Sequence, residues 1–336
     1  MTRNVKIGGV ARKVDKVDTV PFARRNVARY NPCVEIRLFV LPVAVLSIGL
    51  LTGASCKKDS TAKTDPKDVL AAADAAKAGP VDKTPLPGVD VSKLEASKQD
   101  MFYRLVASLP SPCGKAHSLR TSVTSDQSCK RAPFAARLVA ELLVDEQGKD
   151  VVTDLYTERY IKNTAVQTID VSQAPMVGDA AAPVTLVEFF DYGCPACMQL
   201  KPTLDLVAKE NTSRLKVYYK MYPLPKHADS FGAAQAAMAA HAQGKFHAMH
   251  DVIFDKFGAQ KKSDLRGYAQ ALGLDMARWD ADFAAAEARV KADMADGEAI
   301  GVDGTPALFL NGRKYPGPSD PAYFAAAIEE ELAVRR

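Results

Sequence analysis

At 336 residues, the chain has room for about two domains of ~100–200 residues each. Hydrophobic residues make up 47% and charged residues 25%, an ordinary globular balance that excludes wholesale disorder and a polytopic membrane protein. The formal charge of +4 is concentrated at the start: residues 1–56 carry nine Lys/Arg against three acids, leaving a remainder of 35 basic and 37 acidic residues with no basic domain to neutralise nucleic-acid phosphates.

From Leu38 to Leu51 runs LFVLPVAVLSIGLL, an uncharged apolar stretch preceded by Arg37 and followed by Thr52-Gly53-Ala54-Ser55-Cys56. Fourteen such residues rise only about 21 Å as a helix, short of a ~30 Å hydrocarbon core. Length, basic flank and small closing residues fit a secretory signal over 1–55. The ending resembles a bacterial lipobox, with Gly53 standing where Leu is usual. That resemblance implies that Cys56 is lipidated, becomes the mature N-terminus and anchors the chain to a bacterial membrane outside the cytoplasm. An uncleaved membrane anchor and a buried cytosolic helix are the competing readings. The segment before the apolar run exceeds an ordinary n-region, so translation is expected to start downstream of Met1, at Val34. Six cysteines are present: Cys33, Cys56, Cys113, Cys129, Cys194 and Cys197. With Cys33 in the leader and Cys56 lipidated, an even set of four remains, as disulfide chemistry in an exported chain expects.

Residues 56–90 are rich in Ala, Lys, Asp, Pro and Thr and poor in large apolar groups. Such a stretch cannot bury enough surface to offset its ordering entropy. It reads as a disordered tether, with room for a short helix near Val69–Ala78. From Val91, helical spacing of Leu94, Phe102, Leu105 and Val106 predicts one helix closed by Pro110 and Pro112. Phe134, Leu138, Leu142 and Leu143 predict a second, and Asp150–Tyr160 a third. Residues 91–165 are therefore expected to form a small helical domain. At that size a core is marginal, and a Cys113–Cys129 bridge would support it.

A mixed pattern occupies 168–334. Val184–Phe190 is a nearly continuous apolar run, the signature of a strand covered on both faces. A helix begins at Cys194, and Leu215–Met221 forms a second strand. Ala-rich helical segments fill Lys226–Ala299, with Phe246, Met249, Ile253, Phe254 and Phe257 as one apolar stripe. Ala307–Leu310 is a third strand, Asn311-Gly312 a hairpin turn, and Asp320–Ala333 a closing helix. Cys194-Pro195-Ala196-Cys197 sits where the first strand gives way to its helix. There, unpaired N–H groups and the helix dipole favour a Cys194 thiolate, and Cys197 lies one turn further on.

Here the chain resembles the thioredoxin superfamily, in its DsbA-like branch with a helical insertion. The residues carrying the likeness are the run from Val187 to Cys197, Gly244–Asp251, and Gly301–Gly312. The resemblance implies an α/β thioredoxin-like fold and a thiol–disulfide oxidoreductase acting on protein thiols and disulfides, without a bound cofactor. A membrane redox partner would recycle it. By the same resemblance Cys194 is the nucleophile, Cys197 the resolving thiol, and Thr305 and the cis-proline Pro306 bind the substrate strand. Glu188 matches a buried acid that accepts the Cys197 proton; a merely partnered structural acid is the plainer reading of this residue. The Pro-Ala dipeptide departs from the Pro-His of strongly oxidising members, which leaves the direction of electron flow open.

Cys113 and Cys129 lack CxxC-like spacing, which favours a structural bridge over a second redox pair. His241, His247 and His250 form no HExxH-type motif and are expected to be structural or surface residues, so no metal site is assigned. His117 and His227 show no partner in the sequence. The main competing function is a chaperone or peptide-binding module in which the CPAC disulfide is structural. A zinc site built from Cys113, Cys129, Cys194 and Cys197 is a third reading, weakened by having only one CxxC.

Overall fold

The computed structural model describes residues 79–335. The leader, Cys56 and the Ala-rich stretch Val69–Ala78 lie outside the described residues. Four helices come first: α1 (Ala96–Ser108), α2 (Leu119–Thr124), α3 (Ala132–Val144) and α4 (Lys149–Thr157), the last continuing as a π turn over Glu158–Lys162. Phe102, Leu105 and Val106 of α1 meet Leu138 and Leu142 of α3 and Val152 and Tyr156 of α4 in one apolar cluster. The Cys113–Cys129 disulfide, Cα–Cα 5.8 Å, staples the loop after α1 to the loop after α2.

Packing begins before the expected boundary at Val91. Leu86 is 4% exposed and belongs to the same cluster. Pro85 and Pro87 restrict the backbone on either side of it, so holding the segment in place loses little entropy. The Arg120 guanidinium fixes it further by donating to the Asp82 and Thr84 carbonyls at 3.2 and 3.0 Å. The last part of the expected tether is thus built into the helical core.

Five strands follow: β1 (Met176–Gly178), β2 (Val184–Phe190), β3 (Leu215–Met221), β4 (Ala307–Leu310) and β5 (Arg313–Lys314), in the spatial order β1-β3-β2-β4-β5. The central strand β2 runs parallel to β3 and antiparallel to β4. With neighbours on both edges and side chains buried on both faces, it can be apolar along nearly its whole length. β4 and β5 form a hairpin whose two turn residues, Asn311 and Gly312, both have positive φ, as a tight two-residue turn demands. β1 spans three residues, too few to carry a pattern, and exists through its antiparallel pairing with β3.

α5 (Pro195–Glu210) links β2 to β3. Four helices intervene between β3 and β4: α6 (Ser230–Ala242), α7 (Phe246–Asp255), α8 (Lys262–Ala271) and α9 (Met276–Ala299); α10 (Pro321–Arg335) closes the chain. Strand alternation sorts the core. Val184, Leu186 and Phe190 face a large cluster shared with α5, the inserted helices and α10, whereas Val187 and Phe189 face a smaller cluster with Tyr222, Val302 and Phe309. The apolar stripe of the insertion is shorter than its spacing suggests. Phe246, Met249, Ile253 and Phe254 are buried, but α7 ends at Asp255, and Phe257 lies in the turn beyond it, 38% exposed.

α10 joins the two clusters. Its Tyr323 packs with the N-terminal helices, and its Phe324, Ala327 and Ile328 with the sheet. Buried Glu330 accepts from Arg131 and Arg159, each at 2.7 Å, and from the Tyr160 hydroxyl at 3.0 Å.

Candidate active site

Cys194 occupies the N-cap of α5, directly after the loop leaving β2, and Pro195 takes the first helical position. Proline fits there because the first-turn N–H has no helical partner to lose. Cys197 is one turn on, and the two cysteines come within 3.7 Å of each other. Both are free thiols. Cys194 is 6% exposed and Cys197 1%, so Cys194 is the one a partner can reach.

The loop before β4 closes over the pair. Its Thr305–Pro306 peptide is cis, and the Cys194 thiol donates to the Thr305 carbonyl at 3.2 Å. The Thr305 hydroxyl oxygen is buried without a hydrogen-bond partner among the described residues, and it lies close enough to both sulfurs to favour their ionised forms.

The two thiols are driven apart in acidity. Burial alone would raise Cys194, but the neighbouring Thr305 side chain, Cys197 and the Ala196 amide together outweigh it and hold the thiol below its ordinary value. Cys197 is pushed well up, first by burial and then by the negative charge of Glu188. Ionisation of the pair therefore falls on Cys194.

Glu188 lies on the β2 face that also carries Leu186 and Phe190 and is 4% exposed. Its carboxyl is pushed up to about 8, mainly by burial, with Asp205 adding to the rise and Lys201 opposing it. Lys201 in turn is held by Asp205 and Asp251, both at 2.7 Å. A buried acid, a half-buried ammonium and two outer carboxylates thus stand around the interior side of the dithiol.

The disulfide between Cys113 and Cys129 removes both from any thiolate ligand set, which overturns the four-cysteine zinc reading. His247 Nε2 meets the Met176 carbonyl at 3.2 Å, and fully buried His250 meets the Tyr192 hydroxyl through Nδ1 at 3.0 Å. His117 faces Asp126 at 3.5 Å.

The family model described as Thioredoxin matches residues 170–330, a span that contains the CPAC helix, the central sheet, the four inserted helices and the cis-proline loop. Residues 170–330 have a thioredoxin-like fold. Among curated proteins, the chain is similar to the Na(+)/H(+) antiporter NhaA 1 of Mycobacterium sp. (strain KMS), 35% identical over 171 residues that make up 49% of this chain and 28% of that protein. The chain thus spans about a quarter of the length of the curated relatives it matches. Among solved structures, it is similar to a thioredoxin-like oxidoreductase from Silicibacter pomeroyi (28% identity, 48% of this chain and 92% of that one, TM-score 0.44). It is also similar to BdbD from Bacillus subtilis (21% identity, 50% and 97%, TM-score 0.44). Among the described residues, no helix is long and apolar enough to cross a membrane.

The thioredoxin-like fold brings together one pair beside the dithiol that the sequence does not reveal. His227, without a visible partner in the sequence, meets Asp191 at 2.5 Å between Nδ1 and Oδ2. The two are 36 positions apart, and only the fold juxtaposes the loop after β2 with the loop after β3. The one local signal was Asp191 itself, an acid at the end of a buried strand, where a charge needs a partner.

Proposed function

We propose that the chain is an exported, lipid-anchored thiol–disulfide oxidoreductase that exchanges disulfides with protein substrates through Cys194 and Cys197. The carrying observation is the unequal pair: one reachable thiol held below its ordinary pKa, and one buried thiol pushed well above it. A reductive cycle runs as follows. The Cys194 thiolate attacks a substrate disulfide, forming a Cys194–substrate disulfide and releasing one substrate thiolate, which takes a proton. Cys197 gives its proton to the Glu188 carboxylate and attacks the Cys194 sulfur. The second substrate thiolate leaves, and the Cys194–Cys197 disulfide remains. Oxidation of a substrate dithiol is the same sequence reversed, since every step is an exchange that conserves electrons.

In this reading the carbonyl and hydroxyl of Thr305, with Pro306, receive the substrate strand beside Cys194. A carboxyl near pH 8 suits Glu188 to proton transfer, because a base works best when its pKa lies near the working pH. Residues 1–55 would direct export, Cys56 would carry the lipid, and a membrane redox partner would recycle the pair: a quinone-linked oxidase for disulfide formation, a membrane electron donor for reduction. The helices of 91–165 would form a helical module stapled by Cys113–Cys129 and packed against α10.

The test is a glutathione redox titration of the full chain in detergent, read by alkylation and mass at Cys194 and Cys197. A midpoint near about −120 mV marks a disulfide donor, and about −200 mV or below a reductase or isomerase. A pair that never exchanges with glutathione overturns the reading in favour of a peptide-binding module with a structural CPAC disulfide.

A further inference from the structure

We infer that His227 is a positioning residue for the Cys194 nucleophile, acting through Asp191 and the backbone of Gly193. The inference rests on the dithiol reading above. Asp191 is the last residue the chain passes before the cysteine loop, and its side chain is completely buried. Its Oδ1 accepts the Gly193 N–H at 2.8 Å, and its backbone carbonyl accepts the Cys194 N–H at 3.0 Å. One residue therefore holds both amides that lead into the nucleophile. Its Oδ2 accepts the Leu224 N–H at 2.9 Å and His227 Nδ1–H at 2.5 Å. A carboxylate taken out of water needs such donors, and His227 is the one side-chain donor in the set.

His227 is itself fixed. Its N–H donates to the Leu224 carbonyl at 3.0 Å, and its carbonyl accepts the Ser230 N–H at 3.1 Å as α6 begins. It also presses on the loop it supports. A Cβ added at Gly193 would lie 2.7 Å from His227 Cβ and 2.4 Å from Ser230 Oγ, so the turn before α6 and the loop before Cys194 meet with no space between them. Removing the imidazole takes one donor from a buried carboxylate and opens room beside Gly193. Both effects loosen the amides that aim Cys194 at Thr305 and at the N-terminal N–H groups of α5.

The experiment compares the full-length wild type, His227→Ala and His227→Asn in detergent, recording the rate of mixed-disulfide formation with oxidised glutathione and the midpoint potential. Asn retains an N–H donor close to the position of Nδ1. His227→Ala is expected to slow the reaction about tenfold, as small misplacements of reacting groups do, and to move the midpoint to a more negative value as the Cys194 thiolate loses support. His227→Asn is expected to stay within about twofold of wild type on the same grounds. Wild-type rate and midpoint in His227→Ala, or an Asn variant as impaired as Ala, overturn the inference while leaving the dithiol reading intact. Should His227→Ala fail to fold, the Asn variant still decides. So does nuclear magnetic resonance of the wild type, where a protected imidazole N–H signal from His227 is expected and its absence overturns the assignment. A wild type that does not exchange with glutathione defeats the dithiol reading itself, and the inference with it.

Discussion

The Thr305 carbonyl accepts the Cys194 thiol at 3.2 Å, across 111 positions of sequence, while the hydroxyl of the same threonine stays buried and unpartnered beside the sulfurs. The two oxygens serve different protonation states. A thiol can donate to the carbonyl; a thiolate cannot, but it can accept from the hydroxyl. Thr305 is thereby suited to hold Cys194 both before and after ionisation.

Thr305→Val separates these roles. The substitution keeps the carbonyl and the shape but removes the hydroxyl. Because that hydroxyl has no partner, its loss should leave folding stability unchanged within about 1 kcal/mol. The alkylation profile of Cys194, followed in a Cys197→Ala background, should shift to higher pH, since the nearby Thr305 side chain is the leading influence that lowers this thiol. An unmoved profile would mean that the helix amides alone set the acidity.

Glu188→Gln tests the buried acid through pH. In the folded protein the carboxyl holds its proton up to about pH 8, against an ordinary value of 4.5. Between those values the folded state binds more protons than the unfolded chain, so stability falls as pH rises through the window and is level above it. Glutamine does not titrate. The variant should lack this component of the slope and be more stable than wild type at pH 8 by an amount on the order of a few kcal/mol. Resolution of the mixed disulfide by Cys197 should slow in the same variant. Parallel stability curves for the two proteins from pH 5 to about 9 would remove Glu188 from this role.

Much of this site is legible in the sequence because its parts are local. CPAC follows the buried run Val184–Phe190 directly, so strand, loop and helix N-terminus can be read together. Glu188 stands out as the one charge in an apolar strand, and Asn311-Gly312 announces a hairpin. What is hidden depends on long-range pairing or on pattern length. Asp191 and His227 meet only because β2 and β3 lie side by side, and β1 is a strand only because β3 is beside it. Leu86 illustrates a different failure: a lone apolar residue among prolines and charges looks like tether, yet two prolines and Arg120 suffice to seat it in the core.

The Cys113–Cys129 disulfide closes a loop with a sequence separation of 16, for which the chain-entropy model gives about 3 kcal/mol. A Cys113→Ala/Cys129→Ala double variant should unfold at a temperature lower by roughly 6–12 °C, at ~2–4 °C per kcal/mol for a protein of this size. Its glutathione exchange at Cys194 should match wild type below the transition. A double variant with normal stability but impaired exchange would reverse the assignment, making the bridge a redox partner instead of a staple.

The sharpest stability test is Glu330. Its side chain is 1% exposed and receives two guanidinium groups, Arg131 and Arg159, together with the Tyr160 hydroxyl. All three donors come from the N-terminal helical part, whereas Glu330 sits on α10 beside the sheet. Glu330→Ala leaves two half-buried cations facing an emptied site, and removing one partner of a buried pair typically destabilises by about 3–5 kcal/mol. Glu331 softens the loss on one side only, since it also binds Arg131, at 2.8 Å; Arg159 has no such second carboxylate among the described residues. Adding Arg159→Leu to Glu330→Ala should therefore recover more stability than adding Arg131→Leu. The double-mutant cycle, read by urea unfolding, measures this directly, and equal recovery from either arginine would show that Glu331 does not compensate. Chemistry at Cys194 should survive in the folded fraction of every variant, because the network touches neither the dithiol nor the Thr305 loop.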